Sequence, residues 1–269
     1  MRPRCTRFFT AGLSAFLALA CVLRAEDLPQ AGSLPVGETL KYDIYWGFIP
    51  VGHSEMASSC VEENGKPLID LRFTARSNRL VEKIYPVNDR IDCFVDPQTL
   101  LPARLVKRTS EGHYLCNDIL TFDRDSNMAS WEDRQNRTNC EYAVSRDARD
   151  FYSLMYMMRM QDLKCGEEKR FTIACDGKTC DINVLMGGAE KITLSDGSEV
   201  MAKRLKVEQV QKGLFVRKIP GMVWVSHEDP RVILKMQLRV PVGVVKIVLA
   251  NRNASQATVP LLAKKAPVE

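Results

Sequence analysis

The chain has 269 residues, 45% of them hydrophobic, which is ample material for a real core. Its 38 Lys+Arg and 33 Asp+Glu give a formal charge of +5, but residues 1–25 hold four arginines and no acid. The remainder carries 34 basic and 33 acidic residues, a formal +1, with no basic block or stripe, and this argues against nucleic acid as a partner.

The N-terminus reads as a secretion signal. Arg2, Arg4 and Arg7 form a basic n-region, residues 8–23 are uncharged and mostly apolar, and small residues cluster at the exit. The run is short for a spanning helix. Cleavage after Ala18-Leu19-Ala20 leaves Cys21 first, whereas cleavage after Ala25 gives an ordinary Glu26-Asp27-Leu28 start; residues 1–25 are therefore assigned to the signal peptide. Lipidation of Cys21 would add peripheral membrane association, but Ala18 stands where a lipoprotein signal wants an aliphatic residue. The expected compartment is the periplasm or the outer side of the cell envelope.

From Leu40 onward the pattern alternates with period two. Leu40, Tyr42, Ile44 and Trp46 point one way; Ile69, Leu71, Phe73 and Ala75 interleave with Asp70, Arg72, Thr74 and Arg76. Ile91, Cys93 and Val95 repeat the motif, as do Val232, Leu234, Met236 and Leu238. Such runs mark antiparallel strands with one dry face. Glu63-Asn64-Gly65-Lys66, Asp176-Gly177-Lys178 and Ser195-Asp196-Gly197 supply hairpin turns.

One segment departs from this. Over residues 147–163, Phe151, Leu154, Met155 and Met158 recur at helical spacing, while Tyr152, Tyr156 and Met157 make the opposite side apolar too. Asp147 and Asp150 suit the N-terminal turn of such a helix. The expected fold is mainly β: antiparallel strands in a curved sheet or partly open barrel around one central buried helix. Residues 35–250 form either one domain or two lobes, 35–145 and 167–250, joined by that helix. Residues 251–269 lose alternation, carry Pro260 and Pro267, and read as a loose tail.

Ordered motifs then resemble a known family. Gly37-Glu38-Thr39-Leu40-Lys41-Tyr42, Trp46 and Val51-Gly52 are similar to the opening of a family of exported bacterial proteins catalogued only as a domain of unknown function. Ile84-Tyr85-Pro86-Val87-Asn88-Asp89-Arg90, Val95-Asp96, Leu100-Leu101-Pro102, Asp150, Ser153-Leu154-Met155-Tyr156, Arg159, Val223-Trp224-Val225-Ser226, Pro230-Arg231 and Pro241-Val242-Gly243 continue it. The resemblance implies a β-rich envelope protein of a Gram-negative-type bacterium and brings no catalytic residue with it. The cysteines are extra to its pattern.

Seven cysteines follow position 25, and an exported chain meets an oxidising compartment, so disulfides outrank metal sites. No C-x-x-C pair is present, and neither a metal site nor a cofactor is expected. The pairing predicted is Cys175 with Cys180 across a four-residue turn. Cys93 and Cys116 fall two strands apart in a simple meander, too far to bridge. No G-x-S-x-G or H-E-x-x-H motif occurs, and His227-Glu228-Asp229 reads as a turn before Pro230.

Three functions remain in order. The first is a non-catalytic carrier of an apolar, lipid-like ligand, with Tyr42, Ile44, Trp46, Phe151, Met155 and Met158 lining its site; an internal cavity would mark it. The second is an envelope assembly or interaction factor whose partner is another envelope protein, marked by a solid core and an exposed apolar patch or edge strand. The third is a hydrolase or redox enzyme.

Overall fold

A computed structural model of the chain describes residues 36–161, 164–210, 221–227, 231–240 and 243–257. The signal segment and residues 228–230 lie outside the described residues. Eight strands come first: β1 (Val36–Trp46), β2 (Ile49–Glu63), β3 (Lys66–Ser77), β4 (Asn88–Val95), β5 (Pro102–Glu111), β6 (Tyr114–Asp123), β7 (Met128–Asp133) and β8 (Thr138–Ala143). The helix α1 (Phe151–Met160) follows. Six strands complete the fold: β9 (Glu168–Cys175), β10 (Lys178–Thr193), β11 (Glu199–Gln209), β12 (Met222–Ser226), β13 (Ile233–Val240) and β14 (Gly243–Ala257).

All fourteen join one curved, unclosed antiparallel sheet in the order β8-β7-β6-β5-β4-β3-β2-β1-β14-β13-β12-β11-β10-β9. The chain therefore begins in the middle, meanders to one edge at β8, crosses through α1 to the other edge at β9, and meanders back to pair β14 with β1. Short turns make this meander possible. Asn64 and Gly65 (φ 53° and 73°) and Asp176 and Gly177 (φ 45° and 76°) are two-residue loops with left-handed backbone at both positions, the geometry that matches strand twist.

The alternating faces pack as their patterns require. Leu40, Tyr42, Ile69, Leu71, Ile91, Cys93 and Val95 are buried on the concave side. The helix sits in that concavity with residues 153–159 all buried, so it is wrapped rather than docked by one stripe. At ten residues it is a little under three turns. Asp150 caps it, accepting from the Tyr152 and Ser153 amides at 2.7 and 3.0 Å.

Two expectations are corrected. β14 runs through Ala257, so the loose tail does not begin at Asn251: residues 251–254 pair with β1 although their alternation is weak, held by backbone pairing and by the contact of Arg252 with Glu38. On β13 a bulge between the Trp224 and Val225 pairings brings Ile233 into the core as well, beside Val232, Leu234 and Met236. The Cys175–Cys180 disulfide is absent, and both are free cysteines. The loop holds two residues rather than four, which sets Cys175 opposite Lys178 and Cys180 opposite Ile173. The cysteines are diagonal neighbours, a separation of about 7–8 Å between backbones that exceeds disulfide reach. Their thiols meet by a hydrogen bond instead.

Met155 is 7% exposed in the centre of this packing. Met155→Asp should cost about 3 kcal/mol or more by burying an unpaired charge, measured by denaturant unfolding. A loss below about 1 kcal/mol, typical of a surface substitution, would show that the wrapped helix is wrongly described.

Candidate functional site

Two regions gather side chains beyond ordinary packing: a polar anchor inside the sheet and an apolar rim at one end of it. The anchor starts from Gly37, whose positive φ of 86° lies in a β-bulge at the start of β1 and turns Glu38 inward. Glu38 is 1% exposed, and its Oε2 accepts from Arg159 Nη2 at 2.6 Å, deep in the interior. Arg252 Nη2 approaches Glu38 Oε1 at 3.2 Å, an ion-pair contact outside hydrogen-bond geometry. Arg159 Nε donates to the Arg231 carbonyl at 2.6 Å, and Arg231 Nη1 in turn donates to the Gln161 carbonyl, capping the end of α1. Tyr42 completes the cluster by donating to the Ile233 carbonyl at 3.0 Å; burial pushes its phenol pKa well above the usual range, so it stays a donor.

A second polar group ties the far edge strand to the other half of the sheet. Lys107 Nζ on β5 bonds Asp118 on β6 at 3.0 Å and Asp176 in the β9–β10 turn at 2.9 Å. Burial opposes the charge on Lys107, but the carboxylates outweigh it and hold its pKa above the ordinary lysine value. Gly177 fits here because a Cβ would stand 2.8 Å from Cys140 Sγ and 3.2 Å from the Trp131 ring. Arg149 also adds a parallel bridge to β9, its amide donating to Thr172 and its carbonyl accepting from Ala174.

These groups hold the structure and do not present a reacting centre. Cys93 donates its thiol to Asp150 Oδ2 at 3.0 Å, and burial, then the neighbouring carboxylate, push its pKa well up, the opposite of an activated nucleophile. Burial likewise pushes Cys116 up to about 11 despite Lys107. His53 meets Asp43 at 2.9 Å on the outer face, where the imidazole is 72% exposed. Among the described residues no three His, Cys, Asp or Glu side chains gather as metal ligands.

The six residues expected to line a ligand site separate. Phe151, Met155 and Met158 line an apolar cavity of about 20 Å³ between α1 and strands β10–β13. Tyr42 belongs to the polar anchor, Ile44 packs at the margin of the core, and Trp46 is 45% exposed where β1 ends. The cavity has room for about one water molecule.

The rim was not among those residues. At the end where β1 turns into β2, three successive connections carry eight of the eleven large hydrophobic side chains exposed among the described residues. Trp46, Phe48 and Ile49 end β1, occupy the turn and begin β2, Leu80, Ile84 and Tyr85 lie between β3 and β4, and Tyr114 and Leu115 begin β6. Phe48, Ile84 and Leu80 are 90%, 87% and 77% exposed. The connections are tied together: Asn78 bonds the carbonyls of Pro50 and Val51, and its Oδ1 accepts from the Leu80 and Val81 amides. Gly112 donates to Pro86, and a Cβ on it would stand 2.7 Å from the Tyr85 ring. Gly52 is required at the same end, since a Cβ there would lie 2.2 Å from the Arg76 carbonyl oxygen. The available signal was apolar residues at turn positions, Phe48 beside Gly47 above all.

A family described as "Protein of unknown function (DUF3108)" matches residues 41–250. The chain belongs to this family. Residues in the motifs that resembled such a family have physical roles here: Glu38, Tyr42, Arg159 and Arg231 form the anchor, Asp150 caps the helix, and Gly52, Tyr85 and Pro86 build the rim. No curated protein matches the chain in sequence. In shape it is similar to a crystal structure described as a β-barrel-like protein of the domain of unknown function DUF1849 from Brucella abortus. The TM-score is 0.52 at 9% identity, covering 82% of this chain and 99% of that one, so the likeness is one of fold.

Breaking the anchor on one side strands a buried charge. Arg159→Ala should lose about 3–5 kcal/mol of stability, whereas Glu38→Leu combined with Arg159→Met should lose clearly less than the single change. Equal losses in the two variants, measured by denaturant unfolding, would show that charge pairing is not what seats the helix.

Proposed function

We propose that the protein is an exported, non-catalytic component of the bacterial cell envelope that works through its surface, as an assembly or interaction factor docking by its apolar rim. The observation that carries this reading is the contrast between the small cavity beside α1 and an exposed rim, both among the described residues. A cavity of about 20 Å³ compares with the several hundred Å³ that a small-molecule site needs. Phe48, Leu80 and Ile84 stand in solvent on loops fixed by hydrogen bonds, where burial against a partner would be favourable. Export rests on the basic and apolar pattern of residues 1–23. The carrier reading keeps one support, the apolar lining by Phe151, Met155 and Met158.

Protein purified without detergent from its native host tests both readings. It should be recovered from the periplasm with its N-terminus beyond Ala20 or Ala25. Organic extraction should release no stoichiometric hydrophobic molecule, and a fluorescent fatty-acid probe should show no saturable binding. One equivalent of a lipid-like compound, lost in Met155→Trp, would restore the carrier reading; an intact Met1 would contradict export.

A further inference from the structure

We infer that the rim is a membrane-contact surface for anionic lipid. This rests on the reading that the rim is where the protein docks, and it names what it docks on. The apolar contribution is Phe48 in the β1–β2 turn and Leu80 and Ile84 on the β3–β4 connection, side chains carried by two neighbouring loops. Side chains so exposed suit a fluid apolar phase, which closes around each one, better than a rigid protein surface that would need a matching socket for each. Trp46, the last residue of β1, and Tyr85, seated against Gly112, are half-exposed amphipathic rings, the side chains that favour the boundary between headgroups and hydrocarbon.

Charge complementarity selects the anionic surface. Arg79 and Lys83 are exposed on the same connection as Leu80 and Ile84, and Arg76 and Arg108 are exposed at the rim ends of β3 and β5. None of the four forms an ion pair among the described residues. The exposed acids at this end are fewer: Glu82 is exposed on that connection, Asp89 at the start of β4 is half-buried and accepts from the Ser110 amide, Glu111 is buried, and Asp43 is engaged by His53. The excess is local, since the chain beyond residue 25 is nearly neutral. Uncompensated cations beside exposed apolar side chains are the two components of reversible attachment to an anionic leaflet. The rim lies opposite the end where α1 finishes at Glu38, so contact would leave the anchor undisturbed.

Co-sedimentation of the mature protein with phosphatidylcholine vesicles, with and without phosphatidylglycerol, tests this. Binding should be strong only when phosphatidylglycerol is present. Phe48→Ser with Ile84→Ser, and separately Arg79→Glu with Lys83→Glu, should each weaken it by about tenfold or more with unchanged thermal unfolding. No binding by the wild type, or wild-type binding by either double variant, overturns the proposal. If vesicles are not bound but sedimentation velocity shows self-association that Phe48→Ser with Ile84→Ser abolishes, a second copy is the occupant and the docking reading survives alone. If that variant matches wild type in vesicle binding, in self-association and in cross-linking to envelope proteins in cells, both readings fall.

Discussion

The pairing of Glu38 with Arg159 is the constraint on which the arrangement depends. Each side chain is almost fully buried, so neither is tolerable without the other. Glu38 belongs to the central strand and Arg159 to the last turn of the helix, and satisfying both places α1 under the middle of the sheet. Arg231 then closes the helix end and Tyr42 holds the start of β13, so one polar cluster joins β1, α1 and the β13 entry. Such a pair contributes little net stability compared with a hydrophobic replacement; what it specifies is position.

The topology makes that position matter. Because the chain starts in the middle of the sheet, its two edge strands, β8 and β9, are consecutive in sequence and α1 is the segment between them. The sheet curls around the segment that links its own edges. Its seam is held by Lys107 with Asp176, by the close approach of Gly177 to Cys140, and by the bridge at Arg149, rather than by a continuous ladder. Backbone groups on β8 thus remain at an edge, kept short at six residues, which limits the template it offers to another strand.

Much of this was legible in the sequence because period-two burial is a local signal. The faces of β1, β3 and β4 follow directly from Leu40–Tyr42, Ile69–Ala75 and Ile91–Val95, and an all-round apolar helix could only be an interior one. Where reading of the cysteines failed, the cause was two residues of register. A two-residue rather than four-residue loop moved Cys175 off Cys180. The Glu38–Arg159 pair joins residues 121 apart, and periodicity carries no information on such a contact. The rim was missed because apolar residues in turns interrupt alternation without forming a pattern of their own.

Native-state hydrogen exchange tests most directly whether α1 is locked in its seat inside the sheet. The amides of residues 154–160 should exchange only through global unfolding, with the same free energy as the central amides of β1 and β14. Exchange through a distinct opening of clearly lower free energy would show that α1 leaves its seat while the sheet persists, and the interior would then be a binding site after all.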